Sequence, residues 1–124
     1  MDTAITHFYK ENIRGLSYLT SYYHPKNGHP QNMGTHIASY IQSIETYTNS
    51  NTIANGYMHY FYKNLPQETI FTTQDIHEFV PPLSKYTYSI VCDDDKKDII
   101  MHIEPYNIIC NAHEFVVIKD LITH

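Results

Sequence analysis

Tryptophan is absent from this chain, glycine occurs four times, cysteine twice and arginine once. Each scarcity removes a class of protein. Cys92 and Cys110 are too few for a disulfide framework and are not spaced as a CxxC pair, so free thiols in a reducing, cytoplasmic setting are expected. Arg14, seven scattered lysines and a net charge of -5 leave no basic stripe to displace counterions from phosphates or to lie on an anionic membrane. Neither nucleic acid nor a membrane is therefore an expected partner. No window approaches the roughly 20 apolar residues of a membrane span, and the N-terminus lacks the basic and apolar regions of a secretory signal. Gly28, Gly34 and Gly56 form no phosphate-cradling motif, and there is no G-x-S-x-G elbow to expose a nucleophilic serine.

Tyrosine and histidine are abundant instead, with 12 and 9 copies in 124 residues. Ile, Asn and Tyr have AT-rich codons while Ala, Gly and Arg are scarce, a usage that suits an AT-rich genome such as that of a phage or mobile element. A hydrophobic content of 42% with 17% charged residues is that of a globular chain, long enough to bury one core without disulfides. Residues 1-124 are read as one α+β domain.

The C-terminal third sets the expected architecture. Lys85 to Val91 alternates large and small residues, Cys92 to Lys97 is a polar turn, and Asp98 to Glu104 is rich in β-branched residues. With Ile108 to Lys119 as a third strand, these make an antiparallel meander. Upstream, Ile5, Phe8, Tyr9, Leu16, Leu19 and Tyr23 fall on one stripe at helical spacing, interrupted by Gly15, and predict a helix opened by Asp2 or Thr3. His24 to Gly34 holds every common breaker and predicts an exposed loop. A second helix is expected from Gly34 or Thr35, carried by Ile37, Tyr40, Ile41, Ile44 and Tyr47. Asn55-Gly56 suggests a turn and Tyr57 to Tyr62 a strand, although Ile53, Tyr57, Phe61 and Leu65 also match a helix. Glu68 to Thr72 reads as a strand and Gln74 to Val80 as a short helix. The expected fold is a largely antiparallel sheet of four or five strands, its C-terminal three-stranded meander covered by two N-terminal helices.

Three sets of residues could carry chemistry. His24, His29 and His36 are imidazoles within one breaker-rich stretch, and three such ligands with an open position would suit zinc, the alternative to a protein without cofactor. Their spacing matches no established motif, so polar loop residues are the competing reading. His102 and Glu104, two apart on one strand, share a face, where a carboxylate can fix an imidazole's tautomer for base or ligand work. His113 or Glu114, and His77 or Glu78, could join them. The run Asp93-Asp94-Asp95 reads as a solvated hairpin turn rather than a cation site.

Tyrosine is amphipathic and enriched at interfaces, and this chain holds more than one small core should need. Tyr22, Tyr23, Tyr57, Tyr60 and Tyr62, with Tyr40 and Tyr47, are therefore candidates for an interface with another protein or a second copy. The leading expectation is a non-catalytic binding protein of the inhibitor, immunity or adaptor kind. A histidine-dependent enzyme or metal-binding hydrolase is the alternative, and a small-molecule sensor with an aromatic pocket the third.

Overall fold

The computed structural model describes residues 2–72 and 84–122. A mixed sheet of six strands forms one layer, and the α-helices among the described residues form the other. The strands are β1 (Ala4–Asn12), β2 (Gly15–His24), β3 (Phe71–Thr72), β4 (Tyr86–Asp93), β5 (Asp98–Glu104) and β6 (Ile108–Cys110). They lie in the order β3-β2-β1-β4-β5-β6. Only the central β1–β4 pair is parallel; the other neighbours are antiparallel. The helices are α1 (Thr35–Gln42), α2 (Ser50–Asn64) and α3 (Ala112–Ile118).

The segment expected as a first helix is the β1–β2 hairpin. Its helical stripe was a coincidence of aromatic residues on both faces of a strand: Phe8 points into the core while Ile5 and Tyr9 point the other way, as alternation requires. Thr6 hides the alternation, since a buried polar residue stands where an apolar one is looked for. Asn12 Oδ1 accepts from the Arg14 amide at 2.9 Å, and Asp95 Oδ2 accepts from that of Ile13 at 3.1 Å. Gly15, at φ +120°, then starts the return strand in a conformation that side chains rarely adopt.

Residues 55–62, read as turn and strand, lie instead within α2, as the alternative helical match of Ile53, Tyr57, Phe61 and Leu65 allowed. Asn49 caps α2, its side chain accepting from the Thr52 amide at 2.8 Å, and Ile53, Ala54, Tyr57 and Phe61 form the buried face. Gly56 is a mid-helix residue, not a turn: a Cβ there would stand 2.7 Å from the Tyr40 hydroxyl, which donates to the Ile53 carbonyl at 2.5 Å. The third strand of the meander is also shorter than expected. Asn111 and Glu114 form a reciprocal capping box, so the chain turns into α3 after Cys110. Gln74 to Val80 lies outside the described residues.

The core lies between the helices and one face of the sheet. From the sheet come Ala4, Phe8, Tyr22, Tyr86, Tyr88, Ile90, Cys92, Met101 and Ile103; from the helices come Ile37, Tyr40, Ile53, Tyr57, Phe61 and Phe115. As the alternation in 85–91 implied, Tyr86, Tyr88 and Ile90 share this buried face; Met101 and Ile103 join them, with Ile99 half-buried at the margin. The opposite face is overlaid by no helix among the described residues, and it consists of the alternate residues of the same strands.

Candidate functional site

The three loop imidazoles have separate tasks. His24 ends β2, fully buried, with Nε2 at 3.1 Å from both Thr6 Oγ1 and Tyr57 Oη. Its ring sits between Tyr57 and Phe61, and Nδ1 finds no hydrogen-bond partner among the described residues. Burial, reinforced by nearby His36, lowers its pKa to about 3, so the ring is neutral in the folded protein. His29 Nδ1 accepts from the Gln31 amide at 3.1 Å, capping a π-helical turn over Pro30–Gly34, and its ring packs edge-on to Tyr86. His36 is half-buried beside Phe61, with Nε2 at 3.9 Å from Glu68 Oε1. The exposed loop expected here is thus corrected, because two of its histidines lie in the interior. Among the described residues no three His, Cys, Asp or Glu side chains gather where they could hold one metal ion.

His102 and Glu104 do meet. His102 Nε2 lies 3.1 Å from Glu104 Oε1 and 3.0 Å from Asn107 Oδ1, on the open face of β5. His113 does not join them, because α3 packs through Ala112 and Phe115 against the covered face. Glu114 is committed to the capping box. His77 and Glu78 lie outside the described residues.

The acidic turn is less solvated than the sequence implied. Asp94 accepts from Tyr47 Oη at 2.6 Å, from the Ser50 amide at 2.8 Å and from Ser50 Oγ at 2.9 Å. It thereby ties the β4–β5 turn to the positive end of α2. Burial would raise its pKa, but the bonds from Tyr47 and Ser50 outweigh that and hold the carboxyl below its usual range. Asp93 closes its own turn by accepting from the amides of Asp95 and Lys96.

The interface tyrosines divide. Tyr22, Tyr23, Tyr40 and Tyr57 are buried, Tyr60 is half-buried, and Tyr62 is 62% exposed. Tyr22, Tyr40 and Tyr57 lie in the core, where a partner cannot reach them without opening the domain, whereas Tyr23 stands opposite Ile5 on the other face of the sheet. A core holds this many phenols because each hydroxyl reaches a backbone carbonyl or an interior polar group. Tyr22 donates to Ala54, Tyr40 to Ile53 and Tyr88 to Gly28, at 2.5 to 2.6 Å. The rings then pack on one another, as Phe8, Tyr22 and Tyr57 do with centroids 4.9 to 5.9 Å apart.

A cluster that helical spacing concealed lies on the open face. His7 Nδ1 and the Tyr18 hydroxyl flank Ser21 Oγ, at 2.5 and 2.6 Å. Ser21 has one proton for two partners, so one of them must donate to it. Burial lowers the pKa of His7, which is neutral at pH 7. The register carries polar residues onward across the sheet, with Ser21 opposite His7, His7 opposite Ser89, and Ser89 opposite His102. A separate open cleft of about 540 Å³ lies between α1 and α2, lined by Tyr40, Glu45, His59, Tyr60 and Lys63 among others. Among the described residues no helix is long and apolar enough to cross a membrane. Comparison with family models, with curated proteins and with solved structures finds no match to this chain.

Proposed function

We propose that this domain is a non-catalytic binding module that holds another protein, or a second copy of itself, against the open face of its sheet. The observation that carries this reading is the one-sided layering. Every described helix packs on one face, while the other presents Ile5, Tyr9, Tyr18, Val91 and Ile100, none of them part of the buried core. A sheet face of aromatic and β-branched residues left outside the core has the composition of a recognition surface, and Leu16 and Ile13 extend it towards the hairpin tip at 60% and 94% exposure. The interface thus moves from the tyrosines of the helical layer to those of the open face.

The test is the pair Val91→Lys and Ile100→Lys, which charges the middle of this face and leaves the covered one intact. Sedimentation over a dilution series reads self-association, and affinity purification from the native cells reads other partners. Loss of the dimer or partner at unchanged thermal stability is the expected result. Full retention of both would overturn the proposal. The cleft between α1 and α2 favours a second reading, a small-molecule sensor, since its volume suits a ligand and Tyr40 and Tyr60 supply an aromatic wall. Tyr60→Ser with Lys63→Ala would disable that site alone.

A further inference from the structure

The pairing of β1 with β2 slips between Phe8 and Tyr9: Phe8 faces Thr20, but Tyr9 faces Tyr18, leaving Leu19 as an extra residue. Regular alternation from Tyr22 through Thr20 would have put Tyr18 on the covered face. The bulge puts it on the open face, where it meets His7 and Tyr9. The three rings have centroids 5.9 to 6.2 Å apart and interplanar angles of 58° to 70°. Such spacing and tilt are those of edge-to-face packing, and a cation set against the outer side of this aromatic corner would come within the roughly 6 Å of a ring over which cation–π attraction acts. The Ser21 bonds to His7 and Tyr18 fix two of the walls. Tyr18 remains 56% exposed, so the corner is reachable.

Charge on this face has one sign. The register places Glu11, Asp93, Asp98 and Glu104 on it, and no strand position of the face holds lysine or arginine. Glu11 and Asp93 are direct neighbours, as are Asp93 and Asp98, so a carboxylate row runs beside the row of Tyr18, Tyr9, Val91 and Ile100. Arg14, Lys96 and Lys97 lie in the turns beyond the strand ends, Lys10 stands on β1 at the opposite parity, and Lys85, just before β4, pairs with Asp2. His7, being neutral, adds no opposing charge.

We infer that the open face recognises a basic segment of a partner protein, seating an arginine or lysine side chain in the His7–Tyr9–Tyr18 corner with Glu11 beside it. This rests on the binding-module reading and names the chemistry of its partner. Apolar contact alone would not explain a face whose strand positions carry carboxylates and neither lysine nor arginine, whereas a cationic side chain with an aliphatic stem uses both the rings and the carboxylates.

The test uses the full chain, isotopically labelled, titrated with an end-capped hexapeptide of alternating valine and arginine. The valine–glutamate counterpart and tetramethylammonium chloride serve as controls. The expected result is saturable shifts centred on His7, Tyr9 and Tyr18 with the arginine peptide and none with the glutamate peptide. Tyr18→Leu, which keeps apolar area but removes the π face, should weaken binding about 3- to 10-fold with melting temperature unchanged. Glu11→Gln should weaken it about 2- to 3-fold and flatten its salt dependence. Shifts mapping elsewhere, equal binding of the glutamate peptide, or full affinity in a folded Tyr18→Leu protein would overturn the inference. Binding of tetramethylammonium without the peptide would overturn it too, by assigning a site for small ammonium compounds. If the lysine variants of Val91 and Ile100 lose a native partner whose contact surface is acidic, the binding-module reading stands and only the basic-segment inference falls.

Discussion

The two faces of this sheet use the same residue type for opposite ends. On the covered face, Tyr22 and Tyr88 are at most 3% exposed and their hydroxyls donate to backbone carbonyls of residues packed over the sheet. On the open face, Tyr18 is more than half exposed and, among the described residues, its hydroxyl bonds only to Ser21. Tyrosine serves both because it joins a large apolar ring to one polar atom that must be satisfied when buried. The number of tyrosines in a sequence therefore says little about how many are available to a partner; what packs over each ring decides it.

The largest expected contrast is between ring deletions on the two layers. Tyr57 is fully buried against Phe8, Tyr22, His24, Tyr40 and Phe61, so Tyr57→Ala should cost about 3–5 kcal/mol in chemical denaturation. Tyr18→Ser should stay within about 0.5–1 kcal/mol. Comparable losses at the two sites would dissolve the distinction between core and surface tyrosines.

Acid should expose the covered layer next. An unfolded histidine titrates near 6.5, whereas His24 in the fold does so at about 3. Between those values the unfolded chain binds more protons, so stability is fully present above the unfolded pKa and declines as pH falls through this window. His7 and His36 are lowered in the same direction and add to the slope. Urea titrations from pH 7 to pH 4 should show the decline, and His24→Gln should flatten it. A slope unchanged by that substitution would mean that the buried imidazole is not its source.

A smaller effect is expected where the sheet is tied to the helical layer. Asp94→Asn removes a charge from the α2 terminus and weakens the bonds from Tyr47 and Ser50, costing about 1–2 kcal/mol. Thermal denaturation at several salt concentrations reads both parts. Smallest of all is a reactivity difference. Burial pushes the Cys92 thiol up to about 12, and that of Cys110 also rises, so neither should be alkylated at pH 8 until the protein unfolds. Rapid labelling of native Cys92 would show the covered face to be open at its edge.

Legibility varied with how completely a local signal matched its tertiary role. The turn and strands from Tyr86 to Glu104 could be read because their alternation coincides with burial, and α1 because its apolar residues share one face. The Asn111–Glu114 box was also present in the sequence, but the apolar run around it reads equally as a strand. The His7–Tyr9–Tyr18 corner could not be found by spacing at all. It depends on a one-residue slip that no pattern in the chain announces, and on treating as strand a segment whose apolar spacing is helical.

By itself, the sequence determined that the chain would form a small α+β fold and that its C-terminal half would hold paired strands. These follow from composition and short-range alternation, which need no knowledge of what lies opposite. The tertiary structure alone decided which tyrosines are buried, that His24 is neutral and internal, that Asp94 anchors a helix, and which face of the sheet stays open. Each of those depends on partners far apart in the chain, Tyr57 for His24 and Ser50 for Asp94, and a register that only the paired strands can set.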